Sequence, residues 1–321
     1  MSDINYIPFV IDETPYCIWR SELDRRNLEF IQQIDPQYFD YIAKTHAAFL
    51  DENEQQHAAI SLRTEYYHSL ETLFALICAT VQAPTCIFGW LLKYQNRELH
   101  SVVQKIHEGK PVMSRLNADI VSWDSIASTI NIFKSEDANT DKEFQMSFGK
   151  LWHRFATDFL NDTIISEYNS IKHGMRVKAG GFALPFIIKA NVDDPKSSEV
   201  TRQVGGNTFG SSFYISTILP SGKDKKANFI VDHVSLNWHP ENLIHALHLV
   251  SMSINNVISY LKLQYGVAPH EAEFVVPTDA SYFDKPWAVV GSMNSFITNT
   301  RFEECEREPL SKQEILDSYK S

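Results

Sequence analysis

Apolar residues recur at steps of three and four from Ser21 to about Asn131, the spacing of one face of an α-helix. Asp35 followed by Pro36 marks a helix start, and the clearest helix of the chain comes after it. Its apolar face carries Ala59, Leu62, Tyr66, Leu70, Leu73 and Ile77, and its polar stripe carries Glu54, His57, Ser61, Glu65 and His68. Weaker periodicity predicts helices over 91–106 and 117–133.

A second periodic stretch predicts one long helix of about thirty residues. The polar loop 135–141 supplies its start, and Gly174 is typical of a helix end. The apolar positions are Phe144, Phe148, Leu151, Phe155, Phe159, Ile164, Tyr168 and Ile171. Helical spacing returns at Pro240 and ends at Gly266, so we expect helices from both parts of the chain to share one bundle.

Between 180 and 237 the pattern changes to that of strands. The runs FALPFIIKANV, SSFYISTILP and NFIVDHVSLN are separated by turn residues and predict three short antiparallel strands. Further on, EFVVP and WAVVG predict a short strand pair, and Ser311 with Glu314 predicts a capping box in a charged tail.

These patterns predict a mainly α (α+β) fold. We expect a helical bundle over 1–176 and a small antiparallel β insertion over 177–238. Residues 239–321 are expected to hold a long helix that returns to the bundle, the short strand pair and the tail.

The stretch 72–92 raises the question of a membrane span, because it has no charged residue over about the length that crosses a bilayer. Gln82, Pro84 and Thr85 interrupt it, and proline disfavours a helix interior. We therefore expect two buried helices joined at 82–85 and no membrane partner.

Composition limits the partners and the compartment. The chain has 321 residues, of which 44% are hydrophobic, and a formal net charge of -11, which is typical of a folded acidic protein. Its four cysteines lack paired spacing and its N-terminus lacks secretory features, so we expect a reducing, cytoplasmic location. The acidity argues against a broad nucleic-acid surface, so any RNA or nucleotide site must be a local basic cleft.

The end of the long helix, EYNSIKHGMRV, carries candidate chemistry. Asn169 and His173 are four apart and share a helix face, with Lys172 beside them and Arg176 beyond the glycine. An amide, an imidazole and two cations suit phosphate binding and proton transfer. The segment resembles the motif of the HEPN superfamily, an Arg followed by a polar residue and then a His, except that Tyr168 stands at the Arg position.

The HEPN resemblance implies a helical bundle of the kind found in nucleases of toxin and defence systems. It also implies a homodimer that cleaves RNA without a metal or other cofactor, with an Arg on the phosphate and a His in acid-base transfer. Here His173, Asn169 and Arg176 would take the catalytic positions. Lys172 and Arg154 would bind the RNA.

The full family spacing also occurs at Arg63-x4-His68, which makes Arg63 and His68, with Glu65, second catalytic candidates. Both sites have a purely structural interpretation. Lys172 and His173 would cap the last helical carbonyls, and Arg63 and His68 would be ordinary members of a polar stripe. A non-enzymatic protein-interaction or scaffold module is the alternative function; it requires the helix end to be buried rather than open.

Metal-binding patterns are incomplete. Glu54-x-x-His57 and Glu65-x-x-His68 both spell a motif of di-iron bundles, but they lie on one helix roughly 16 Å apart, too far to share a site. A later histidine group lacks cysteines or suitably spaced carboxylates: His233, His239, His245 and His248. We expect no metal and no cofactor.

Overall fold

The computed structural model of the chain describes residues 6–21, 23–116, 121–133, 138–189, 199–218, 229–288, 295–299 and 310–320. In these ranges the fold is mainly helical with small antiparallel sheets, as the sequence predicted. The helices are α1 (Leu23–Gln33), α2 (Tyr38–Ala47), α3 (Gln55–Gln82), α4 (Ile87–Lys93), α5 (Asn96–His107), α6 (Trp123–Ile130), α7 (Ala138–Phe159), α8 (Asp162–Lys172), α9 (Pro240–Gln264) and α10 (Lys312–Ser318). The strands are β1 (Tyr6–Ile11), β2 (Thr14–Trp19), β3 (Val177–Ala179), β4 (Leu184–Lys189), β5 (Glu199–Val204), β6 (Gly210–Ile218), β7 (Phe229–Asn237) and β8 (Ser295–Asn299).

Helix α3 is the central element of the bundle. It packs against α2, α8 and α9, and nearly every side chain from Tyr66 to Gln82 is buried. The apolar stripe predicted for this helix continues into an uncharged stretch that is apolar on all sides, and a helix of that kind must be enclosed by its neighbours. The indole N–H of Trp152 donates to Ser253 Oγ at 3.0 Å and joins α7 to α9 inside the core.

The uncharged stretch 72–92 forms two buried helices, as predicted. Helix α3 ends at Gln82 and α4 begins at Ile87. The Gln82 amide is 1% exposed, accepts from the Asp12 N–H and donates to the Met113 carbonyl, so its polar atoms are paired inside the core. In the part of the chain that the structure describes, no helix is long and apolar enough to cross a bilayer.

The single long helix predicted before Gly174 is wrong. It consists of two helices, α7 and α8, and the chain leaves helical geometry between them. Asn161 is the N-cap of α8, where its side-chain oxygen accepts from the N–H groups of Thr163 and Ile164. An asparagine oxygen in this position satisfies amide groups that have no partner within the helix, so the break is stabilised locally.

The β segment between α8 and α9 has more strands than expected. The three predicted strands correspond to β4, β6 and β7, and β3 and β5 are additional. Strands β3, β6, β7 and β8 form one antiparallel sheet in that order, whereas β4 and β5 form a separate hairpin. Another hairpin, β1 with β2, precedes the bundle and was not predicted.

Three weaker predictions need correction. The helix over 91–106 is interrupted after Lys93 and resumes at Asn96, and only Trp123–Ile130 of 117–133 is helical among the residues described there. EFVVP forms no strand; the backbone N–H of Val275 donates instead to Asn256 Oδ1 at 2.8 Å. Much of WAVVG lies outside the described residues. The helix from Pro240 and the Ser311–Glu314 capping box are confirmed.

Candidate functional site

The end of α8 presents the predicted polar residues on the surface. Asn169, Lys172, His173 and Arg176 are all exposed. Lys178, in β3, is exposed as well and extends the same run of basic residues. We call Lys172, His173, Arg176 and Lys178 the basic strip.

The turn between α8 and β3 gives the strip its shape. Gly174 has φ +113° and Met175 has φ +51°, two consecutive residues in left-handed conformation. The N–H of Met175 donates to the Ile171 carbonyl and that of Arg176 to the Ser170 carbonyl, which closes the helix end. The left-handed conformation is uncommon for a non-glycine residue such as Met175, so the chain holds a strained backbone beside four polar side chains.

No carboxylate of the described residues forms an ion pair with the strip. Lys172 Nζ lies 5.3 Å from the centre of the Tyr168 ring, a cation–π contact that leaves its charge available. The nearby carboxylates have other partners: Glu65 binds His68, and Glu71 accepts from the Tyr168 hydroxyl and the Asn96 amide. The strip is therefore a local positive surface on an acidic protein.

His68 lies within electrostatic reach of the strip. The hydrogen bond with Glu65 raises the pKa of His68, burial lowers it, and the charge of Lys172 also lowers it. His68 packs edge-on against Phe39 and keeps 48% of its side chain exposed. Among the second candidates, His68 is thus near the strip.

Arg63, in contrast, lies inside the protein. Its Nε donates to Glu167 Oε2 at 2.8 Å, and the two side chains are 10% and 1% exposed. Glu167 Oε1 accepts from the Ser211 hydroxyl and from the Trp238 indole N–H. We call Arg63, Glu167, Ser211 and Trp238 the Glu167 cluster; it ties α3, α8 and the sheet together.

Electrostatics in the Glu167 cluster favour a charged pair. Burial opposes the charge on Arg63, but the charge and hydrogen bond of Glu167 together with the charge of Asp158 outweigh it, so the pKa of Arg63 is raised. Each carboxylate oxygen of Glu167 has a donor, which is what a buried charge requires. Arg63 is therefore held by Glu167 and does not extend to His68 or to the strip.

Tyr168, at the position where the family motif has Arg, belongs to the core. It is 8% exposed and stacks on Tyr67 with ring centres 4.5 Å apart. Its hydroxyl donates to Glu71 Oε2 at 3.2 Å. The Tyr168 side chain therefore packs in the core and donates a hydrogen bond to a carboxylate. It has no positive charge that could bind a phosphate.

A cleft of about 380 Å³ opens next to the Glu167 cluster, at the opposite end of α8 from the strip. Its walls come from α3, α7, the start of α8, β7, α9, β8 and a 3-10 stretch, Ala280–Trp287. Polar and aromatic lining residues include Arg63, Tyr66, Asp158, Asn161, Trp238, His239, Asn242 and Trp287. We call this space the α8 cleft.

Asp158 is the carboxylate of the α8 cleft. Its Oδ2 accepts from the Tyr66 hydroxyl at 2.5 Å and from the Trp287 indole N–H at 3.3 Å. Burial raises the pKa of Asp158, and the hydrogen bond from Tyr66 and the charge of Arg63 offset this only in part. Arg154 lies outside the strip, on α7, where it pairs with Asp284 at 2.7 Å and covers the Trp287 ring.

The incomplete metal patterns form local pairs. Glu54 binds His57 and Glu65 binds His68 within single helical turns. The four later histidines have separate neighbours: His233 the Tyr214 ring, His239 the Asn207 amide, His245 the Tyr282 hydroxyl and His248 Asp40. Within the described ranges, no three His, Cys, Asp or Glu side chains are placed to hold a metal ion.

The chain matches no family model, no curated protein and no solved structure. Its function must therefore be argued from the two sites themselves. Three residues of the basic strip, Lys172, His173 and Arg176, were predicted from the sequence, but Lys178 was missed, although it lies only two residues beyond Arg176. The α8 cleft could not be predicted, because its residues come from seven segments that the fold brings together.

Proposed function

We propose that the chain binds RNA through the basic strip, as a HEPN-like protein whose ribonuclease activity is weak or lost. The observation that carries the proposal is the group of exposed cations, Lys172, Arg176 and Lys178, that have no carboxylate partner among the described residues. Phosphate groups bind such cations and release counterions. His173 and Asn169 add hydrogen-bonding groups for a base or a ribose hydroxyl.

The arrangement favours binding over cleavage. Metal-independent cleavage in the family pairs an Arg with the His, and Tyr168 and Arg63 are both committed elsewhere. His173 and Arg176 are the groups that remain available for acid-base transfer and phosphate binding. His68 lies further away, on the other side of Lys172. A single copy of the chain therefore offers an imidazole and cations, but the family's arginine position holds a buried tyrosine, which suits recognition of RNA with slow or no turnover.

The test is RNA binding by a strip variant. Lys172→Glu, Arg176→Glu and Lys178→Glu together should weaken binding of a labelled single-stranded RNA by at least about tenfold, measured by fluorescence anisotropy. For the wild type we expect the logarithm of the affinity to fall with the logarithm of salt concentration at a slope of about −2, since three contacts contribute about 0.7 each.

A matched control carries the same change in net charge. Arg97→Glu, Lys150→Glu and Lys312→Glu replace three other exposed cations, and this variant should bind RNA with an affinity close to that of the wild type. Equal losses in the two triple variants would mean that overall charge decides binding, and the strip would lose its assignment. Failure of the wild type to bind RNA would refute the proposal.

Cleavage is tested separately, on structured and single-stranded RNA. Any cleavage by the wild type should fall in His173→Ala, and a smaller effect is expected in His68→Ala. Cleavage that is unchanged in both variants would refute a ribonuclease site at His173 or His68. The resemblance further implies a homodimer, in which the two strips would face one RNA. Sedimentation of the full chain should therefore show two copies.

A second candidate function is protein binding by the outer face of the four-stranded sheet. Tyr214, Phe229 and Val231 are 68%, 58% and 44% exposed, and the strand register places them on one side of the sheet. Apolar groups exposed together are typical of interaction surfaces. If this candidate is right, the wild type should not bind RNA and should capture a protein partner from source-cell extract. Tyr214→Ser with Val231→Ser should abolish that capture.

A further inference from the structure

Arg63 has donor groups that the Glu167 cluster does not use. Its Nε donates to Glu167, whereas no described residue accepts from its two Nη groups. The side chain is only 10% exposed and it lines the α8 cleft, so the part that remains open faces that cleft. A guanidinium with free Nη donors is suited to a carboxylate.

Asp158 has an acceptor that is equally unused. Both of its described donors, Tyr66 and Trp287, bind Oδ2, and no described residue donates to Oδ1. Tyr66 follows Arg63 by three residues on α3, and its hydroxyl, which binds Asp158, also interacts electrostatically with Arg63. An ammonium group of a ligand would satisfy Oδ1 and compensate a charge that burial disfavours.

The walls of the cleft suit an apolar or aromatic body. Trp238 and Trp287 both line it, and each indole is fixed by its N–H bond, to Glu167 in one case and Asp158 in the other. Ile164, Leu243 and Ala246 add apolar surface. A volume of about 380 Å³ falls in the lower part of the range for small-molecule sites.

We propose that the α8 cleft binds a free α-amino acid in its zwitterionic form. The ligand carboxylate lies on the Nη groups of Arg63, its ammonium on Asp158 Oδ1, and its side chain against the wall that Trp238 and Trp287 help to form. A simple amine would leave the Nη groups of Arg63 without an acceptor, and a simple carboxylate would leave Oδ1 of Asp158 without a donor. The site is independent of the basic strip, which is at the other end of α8.

Three probes with the same body separate the two contacts. L-phenylalanine has both charges, L-phenylalaninamide lacks the carboxylate and N-acetyl-L-phenylalanine lacks the ammonium. By calorimetry on the full chain, we expect each derivative to bind roughly tenfold or more weakly than L-phenylalanine, because one charged hydrogen bond is lost in each case. In parallel, a thermal-shift scan of the other common α-amino acids shows which ligand side chains stabilise the protein most.

Variants then assign the contacts. Asp158→Asn keeps an oxygen for Tyr66 and Trp287, and it should weaken L-phenylalanine about tenfold while barely changing N-acetyl-L-phenylalanine. Thr163→Trp should block binding by filling the cleft from a half-exposed position without removing a buried charge. Asp51→Asn changes the same charge on an exposed side chain that does not line the cleft, and it should leave binding unchanged.

The outcomes are decisive in either direction. Tightest binding of L-phenylalanine, with the expected losses in Asp158→Asn and Thr163→Trp, supports the proposal. Equal binding of the three probes, unaltered binding by Thr163→Trp, or no thermal shift with any α-amino acid overturns it. RNA binding through the strip can fail or succeed without changing these results, so the two proposals are tested independently.

Discussion

The middle and the C-terminal end of α8 differ in how their charged side chains are buried and paired. Glu167, in the middle, is 1% exposed, and both of its oxygens are occupied by donors from three other segments. Lys172 and Arg176, at and just past the end, are exposed and have no carboxylate partner in the described chain. A charge that is enclosed and fully paired holds the fold together, whereas an exposed, unpaired charge is available to a ligand. The difference between these two regions can be measured.

The largest expected effect is that of breaking the buried pair. Glu167→Ala should lower the free energy of unfolding by about 3–5 kcal/mol, because it leaves Arg63 charged, buried and without its partner. Lys172→Ala should change it by less than about 0.5 kcal/mol. Urea unfolding followed by circular dichroism compares the two.

A double replacement checks the reason for that loss. Arg63→Met with Glu167→Met removes both charges and should recover most of the stability lost in Glu167→Ala, since an apolar pair has no uncompensated charge. If Glu167→Ala costs no more than Lys172→Ala, the contrast between the two regions is wrong.

The sequence identified these regions unequally. The strip lies within seven consecutive residues, 172–178, and the sequence identified Lys172, His173 and Arg176 but not Lys178. Helices α3 and α9 were found because each has a long apolar periodicity. Arg63 and Glu167 are 104 positions apart, and nothing in one sequence states that they meet. The spacing of Arg63 and His68 suggested a shared catalytic role, but in the fold Arg63 pairs with Glu167 instead.

The break between α7 and α8 left a local signal that periodicity obscured. Apolar positions step by three and four up to Phe159 and then by five to Ile164, with Asn161 between them. A step of five with an N-cap residue inside it favours two helices over one. Because the apolar face resumes after the break, a count of periodic positions alone joined the helices.

Next in size is the loss of the hydrogen bond from Tyr66. Tyr66→Phe should lower the free energy of unfolding by about 1–2 kcal/mol, because Asp158 Oδ2 keeps only the longer bond from Trp287. The pKa of Asp158, already raised by burial, should rise further, since the bond from Tyr66 lowers it in the native chain. Carboxyl NMR titration measures that rise.

Tyr214→Phe is the matched control for Tyr66→Phe. Tyr214 is 68% exposed and its hydroxyl has no partner among the described residues, so its replacement should alter stability by less than about 0.5 kcal/mol. Similar losses in the two variants would show that burial of the hydroxyl does not matter.

The cap between α7 and α8 affects both regions, because α8 carries each of them. Asn161→Ala should lower the free energy of unfolding by about 1 kcal/mol, since two N–H groups at the start of α8 lose their acceptor. Asn161→Asp keeps an acceptor and should retain the stability. Hydrogen exchange of the first turn of α8 reports the change, and equal protection in both variants would remove the cap as the cause of the break.

The smallest expected effect is at His68, beside the strip. Its hydrogen bond with Glu65 raises its pKa above the ordinary value of 6.5 despite burial and Lys172. The imidazolium therefore stabilises the folded chain fully below pH 6.5, and this contribution is lost as pH rises through the higher pKa of the folded state. With half of the side chain exposed, solvent screening limits the effect to no more than about 0.5 kcal/mol.

Glu65→Gln should lower the pKa of His68, and Lys172→Ala should raise it; NMR titration of the His68 ring follows both. If Lys172→Ala leaves that pKa where it is, the charge of the strip does not extend to His68, and His68 has no part in the binding site.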